Sequence, residues 1–259
     1  MKTQPQAVRW ILPLLLGIGC GQLAAAQSAP APIGERPGLS AGEIVNKLVE
    51  RNLARSQALA AFQGTRVYKL EYHGFPGSRS AEMVVDVKYQ SPATKEFTVR
   101  SSTGSKLLID RVFNRLLQSE KEALTEENQS RVALNNDNYT FTLDGQESTP
   151  SGSFYVLSVQ PRTKNKLLYR GRIWVDATDF AVARIEVSPA KNPSFWIKET
   201  KIEHAYIKVS DFWLPASNRS TSSTRLGGTA ILTIDYTDYR VTAMGARPDS
   251  PIAMDLPSR

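Results

Sequence analysis

His73 and His204 are the only histidines, and Cys20 the only cysteine, in a chain of 259 residues. Metal centres and His-dependent nucleophilic sites need such residues at short, recognisable spacings, and these two histidines stand 131 positions apart. Neither falls in an H-x-x-x-H or H-E-x-x-H pattern, and no G-x-S-x-G marks a serine nucleophile. Gly74 to Ser80, GFPGSRS, has the glycines of a phosphate loop without its G-x-x-x-x-G-K-[ST] order, so it reads as a hairpin turn. Asp and Glu are plentiful, yet nothing singles out an acid/base pair. These residues predict no catalytic residue, no metal, no cofactor and no enzyme. His73 alternates onto a polar strand face, and His204, beside Ile202 and Tyr206, reads as a packing residue.

The first residues are read as a leader, not as fold. Lys2 and Arg9 precede an apolar run from Trp10 to Ile18, and Ala24, Ala25 and Ala26 supply a small-residue cleavage site before Gln27. The run is short for a membrane span. Export to the periplasm is the expectation, with a mature chain starting at Gln27. Gly19-Cys20 offers the alternative of cleavage before Cys20 and a lipid anchor there, although Gly17 does not fit a lipobox. On either route the folded part keeps no disulfide and no Cys ligand.

The leader carries two of the 32 basic residues and none of the 25 acidic ones, leaving 30 against 25. That excess is mild and interspersed with acids, which argues against nucleic acid as a partner. Attraction to anionic membrane surfaces is compatible with it.

Positions 1–26 are thus a signal peptide, 27–39 (Pro-, Ala- and Gly-rich) a flexible linker, 40–244 one domain, and 245–259 a disordered tail. The domain opens with Ser40 and Glu43 in capping-box order, and Ile44, Val45, Leu48, Val49 and Leu53 recur at helical spacing with Glu43, Lys47, Glu50, Arg51 and Arg55 facing away. A second amphipathic helix is predicted over Ser105 to Leu124, apolar through Ile109, Val112, Phe113, Leu116 and Leu117, with Asp110, Arg111, Arg115, Glu120 and Lys121 opposite. It could continue through Val132 to Leu134.

Nearly everything else alternates with period two. KNKLLYRGRIWVD, residues 164–176, shows the habit: Leu167, Tyr169, Gly171, Ile173 and Val175 share one face, while Lys166, Leu168, Arg170, Arg172 and Trp174 share the other. Nine or ten such strands with two or three helices predict an α+β, β-rich fold: a strongly curved antiparallel sheet, an open half-barrel, its concave apolar face covered by amphipathic helices. Trp174, Phe195, Trp196, Phe212 and Trp213 crowd the second half, and Pro193 and Pro215 are read as strand ends or turns.

The stretches NNDNYTFTLDG, KNKLLYRGRIWVD, AKNPSFW and DFWLPASNRS, in that order behind an amphipathic helix, resemble the bacterial outer-membrane lipoprotein-sorting proteins of the LolA-like and LolB-like carrier superfamily. The likeness runs over roughly Ser40 to Val241. It implies an open barrel under helices whose cavity receives acyl chains. The faces that would line such a cavity hold Tyr68, Leu70, Tyr72, Val85, Val87, Phe97, Val99, Val112, Leu116, Phe141, Leu143, Leu157, Ile173, Val175, Ile185, Trp196 and Ile234.

A monomeric periplasmic carrier of lipid or lipoprotein acyl chains, meeting an inner- or outer-membrane receptor, is therefore the expected function. The Ser105–Leu124 helix is its candidate lid. A module of another class, an envelope sensor or scaffold binding a protein or peptide, is the alternative.

Overall fold

The computed structural model describes residues 38–122, 132–164, 167–192, 195–225 and 227–245. The expectations for the leader, for most of the linker, for Leu124 and for the tail beyond Gly245 lie outside the described residues.

Helix α1 (Ala41–Ala58) starts as the sequence predicts, with the Ser40 hydroxyl and the Glu43 carboxylate satisfying each other's backbone N–H. It buries Ile44, Val45 and Leu48. Arg55 departs from the expected solvent-facing set: its Nη1 donates to the Asp179 carbonyl at 2.9 Å and its Nη2 to the Phe180 carbonyl at 3.1 Å. The last turn of α1 is thereby tied to a distant hairpin.

Ten strands follow: β1 (Leu59–His73), β2 (Arg79–Gln90), β3 (Thr94–Gly104), β4 (Tyr139–Thr149), β5 (Gly152–Pro161), β6 (Tyr169–Asp176), β7 (Val182–Pro189), β8 (Ile197–Val209), β9 (Phe212–Thr224) and β10 (Thr229–Ala243). They form one antiparallel sheet in the order β3-β2-β1-β10-β9-β8-β7-β6-β5-β4. Two meanders are joined by the β1–β10 pairing, and β3 and β4 remain as edges, so the sheet is an open half-barrel. Bulges at Val84/Val85, Leu143/Gly145, Trp174/Val175 and Ala205/Tyr206 bend the strands.

After β3 the chain runs onto the concave face over β1, β2 and β10 as α2 (Lys106–Leu108), a π-helical turn (Ile109–Phe113) and α3 (Asn114–Glu122) in unbroken succession, together the crossing helix. This crossing helix matches the predicted second helix. Its π turn, closed by the Asn114 N–H on the Ile109 carbonyl, inserts one extra residue into the spiral.

The core is divided. Under α1 lie Tyr139, Leu157, Val159, Leu168, Tyr169, Ile173, Val175, Ile185 and Val187. Under the crossing helix Phe113, Leu116 and Leu117 meet Tyr68, Leu70, Met83, Val85, Val87, Leu232 and Ile234. A smaller third cluster holds Leu59, Val209, Phe212 and Leu214. Each such side chain contributes about 1.5–3 kcal/mol when removed from water.

Three further readings need correction. Leu168 joins the α1 core instead of the outer face, because β6 begins only at Tyr169 and the pleat rule does not reach it. Pro215 lies inside β9, opposite Tyr206 at a bulge, where a missing N–H is tolerated. Glu120 is buried, not solvent-facing: it follows Leu116 by four residues and so lies on the apolar face.

Candidate functional site: the inner face of the half-barrel

Strand register lines up one row of side chains across the inner face. From β2 to β4 it runs Met83, Tyr68, Ile234, Asn218, His204, Ile185, Ile173, Leu157 and Leu143. The neighbouring row runs Ala81, Leu70, Leu232, Ser220, Ile202, Val187, Gly171, Val159 and Phe141. The face is thus apolar at both flanks and polar in the middle, where β8 and β9 meet.

Fourteen of the residues named from the sequence as lining this face pack in its two large clusters. Tyr68, Leu70, Val85, Val87, Phe97, Val112, Leu116 and Ile234 gather under the crossing helix, and Phe141, Leu143, Leu157, Ile173, Val175 and Ile185 gather under α1. Tyr72 is half-buried outside both clusters, with its hydroxyl donating to the Phe75 carbonyl. Val99 on edge strand β3 and Trp196 before β8 are 46% and 53% exposed and join neither.

The middle band is a hydrogen-bonded set. Ser220 Oγ donates to Asn218 Oδ1 at 3.2 Å, which leaves Asn218 Nδ2 to donate to His204 Nδ1, also at 3.2 Å. The imidazole proton therefore sits on Nε2. The ring stacks on Tyr206 at 4.7 Å, and Thr200 and Ser222 share a hydroxyl bond at 2.9 Å. Burial, reinforced by the Arg66 charge, lowers the His204 pKa to about 4, so the imidazole is neutral near pH 7. Within this band His204 Nε2 and the Tyr206 hydroxyl are buried without a partner.

Next to the band lies a charge cluster absent from the sequence reading. Arg66 Nη1 and Nη2 hold Glu120 Oε2 and Oε1 at 2.6 and 3.0 Å, and Lys95 Nζ bonds Glu120 Oε1. Arg66 also reaches the Tyr68 hydroxyl at 3.1 Å and lies 5.0 Å from the centre of the Tyr236 ring. Burial pushes the Glu120 carboxyl up, but Lys95 and Arg66 together outweigh it and hold the pKa at about 2. Burial lowers Lys95 despite its carboxylate partner, whereas Glu120 more than offsets burial at Arg66. The crossing helix is therefore seated by apolar contact and by one charged pin.

The missed residues had a legible signal. Arg66 shares strand parity with Tyr68 and Leu70, and Lys95 shares it with Phe97. Glu120 was set toward solvent on its charge, against its spacing from Leu116. His73 is exposed, near Glu71 and Ser78. Among the described residues no cluster of His, Cys, Asp or Glu suits a metal ion, and no helix is long and apolar enough to cross a membrane. The arrangement offers apolar surface, two buried unpartnered donors and a helix laid over the β1, β2 and β10 flank of the inner face.

Solved structures similar to this chain include a domain described as an outer membrane lipoprotein-sorting protein from Vibrio parahaemolyticus, at 12% identity and a TM-score of 0.38, covering 79% of this chain and 94% of that one. A LolA superfamily protein from Nitrosomonas europaea is similar at 13% identity and a TM-score of 0.34, covering 82% and 96%. The MucA/MucB complex of Pseudomonas aeruginosa is similar at 12% identity and a TM-score of 0.27, covering 76% and 93%. At these values nothing about ligand or partner passes from those proteins to this one. No curated protein matches the chain. A model for the family described as "Family of unknown function (DUF5686)" matches residues 78–239, more than half of the sequence, and the chain belongs to that family.

Proposed function

We propose that the protein is a periplasmic carrier that shields lipid or lipoprotein acyl chains against the inner face of its half-barrel, in outer-membrane lipoprotein sorting. The observation that carries this reading is the crossing helix. It lies over one flank of the concave face, where its Phe113, Leu116 and Leu117 cover the apolar wall of β1, β2 and β10. An acyl chain offers that wall the same contacts, at about 0.8 kcal/mol for each CH₂ taken from water. The helix can then exchange sheet for cargo. The leader-like first residues and the likeness of GRIWVD and FWLPA to lipoprotein-sorting proteins support the same assignment. The protein acts by binding, with no catalytic step.

Native mass spectrometry of protein isolated from the cell envelope tests the proposal. The expected spectrum shows a mass excess matching one acylated species, and the same spectrum reports whether the chain starts at Gln27 or at a lipidated Cys20. A lipid-free protein holding one stoichiometric protein partner would overturn it in favour of the sensor or scaffold class.

A further inference from the structure

The two ends of the half-barrel differ in chemistry. Because neighbouring strands are antiparallel, the β1–β2, β5–β6, β7–β8 and β9–β10 turns all fall at one end, and α2 begins there beside β2, with the Ser105 N–H on the Ser80 carbonyl. Of the large apolar side chains standing in solvent, Phe75 (80% exposed), Phe195 (72%), Trp196 and Leu107 belong to this end.

These aromatics are held outward by bonds, not left on loose loops. The Arg225 N–H donates to the Trp196 carbonyl at 2.9 Å and its Nε to the Phe195 carbonyl at 2.7 Å, with the guanidinium 5.0 Å from the centre of the Phe195 ring. Phe195 and Trp196 pack edge to face at 5.5 Å. Asn192 Nδ2 braces the same turn on the Lys198 carbonyl at 2.9 Å. Phe75 is anchored through its carbonyl on Tyr72, whose ring lies against Gly228 of the adjacent turn. Through their described residues the β1–β2, β9–β10 and β7–β8 turns are thus linked side by side into a rim.

Around the aromatics stand the exposed Arg79, Lys164, Lys191 and Lys198, none of them ion-paired among the described residues, against the acidic Glu71, Asp137 and Glu199. The opposite end has Asp176, Asp179 and Asp211 at its turns, with Asp179 paired to Lys208. Aromatic side chains ringed by basic ones fit the interface of a bilayer, where rings settle among headgroups and Lys and Arg are drawn to an anionic surface.

We propose that this rim docks the protein on the surface of an anionic lipid bilayer, with Phe75, Phe195 and Trp196 entering the interface. The docking stands apart from whether the inner face carries acyl chains, and the test reads docking alone. It compares full chains, so any contribution of the segment before Gly38 is common to all. Sedimentation with phosphatidylcholine vesicles, with and without phosphatidylglycerol, is measured at low and high salt.

The intact rim should prefer the anionic vesicles at low salt. Phe75→Ser with Phe195→Ser and Trp196→Ser should lower that partitioning by at least about tenfold. Arg79→Glu with Lys191→Glu and Lys198→Glu should abolish the anionic preference. Lys88→Glu with Arg51→Glu and Arg240→Glu, an equal charge change away from the rim, should leave binding within about twofold. Brominated lipids should quench a fluorescence component that Trp196→Phe removes. Equal losses in the rim and control charge variants, unchanged binding in the aromatic variant, or quenching that survives Trp196→Phe would each overturn the proposal. Melting curves of these surface variants verify that they fold.

Discussion

Arg66 and Glu120, 54 residues apart in sequence, form a two-pronged ion pair beneath the crossing helix, with both carboxylate oxygens engaged. It joins the floor of the sheet to the proposed lid. Replacing Glu120 by Gln leaves Arg66 and Lys95 buried without their counter-charge and should cost about 3–5 kcal/mol, as breaking a buried pair does. Replacing Arg66, Lys95 and Glu120 together by Met, Met and Leu should recover most of that loss. Urea unfolding of both variants checks it. A single replacement costing less than about 1 kcal/mol would show that the charged pin does not seat the helix.

Acid unfolding should proceed in two windows. His204 is neutral when folded, with a pKa of about 4 against an ordinary 6.5, so protons favour the unfolded chain between those values. Its stability contribution is full above pH 6.5 and falls as pH drops toward 4, by about 3 kcal/mol in all. Glu120 has the opposite charge chemistry but the same direction: held at about 2 against 4.5, it stabilises fully above pH 4.5 and loses that contribution as pH falls toward 2. In His204→Phe the upper window should vanish and the lower one remain, as followed by urea midpoints against pH.

The two faces of β6 should respond differently to charge. Ile173 is 1% exposed within the α1 core. Ile173→Glu should therefore cost several kcal/mol or force the new carboxyl to stay protonated, and should abolish lipid retention. Arg170→Glu, on the exposed face, should change stability by no more than about 0.5 kcal/mol. Arg172→Glu should cost more, about 1 kcal/mol, because Arg172 lies over the Trp174 ring at 5.3 Å and approaches Glu186 at 3.5 Å. Thermal melts and co-purified lipid distinguish the three.

Gly171 marks a close approach of backbone within the inner rows. Its φ is +147°, and a Cβ there would collide with the Glu186 carbonyl and come within 2.8 Å of Val187 Cα. Gly171→Ala should destabilise the protein by more than about 1 kcal/mol through strain, although Ala normally favours order over Gly. A melting temperature equal to that of the parent would contradict the register of β6 on β7.

Much of this architecture is written locally. The Ser40–Glu43 capping box, the helical spacing of Ile44, Val45 and Leu48, and the alternation of Tyr68 with Leu70 or Ile173 with Val175 depend on the chain's own geometry over a few residues. One sequence therefore determined the helices, most strands, the curved sheet and fourteen of the inner-face residues that pack in its two large clusters. Strand β9 was harder, since SNRSTSST has no apolar alternation, and its Asn218 and Ser220 create the polar band only by pairing with β8 and β10. The tertiary structure alone decided that β1 lies beside β10, that Arg66 and Lys95 meet Glu120, and that the core is split. Those outcomes rest on partners tens of residues apart, whose meeting turns charges that would otherwise seek water into buried, mutually neutralising groups.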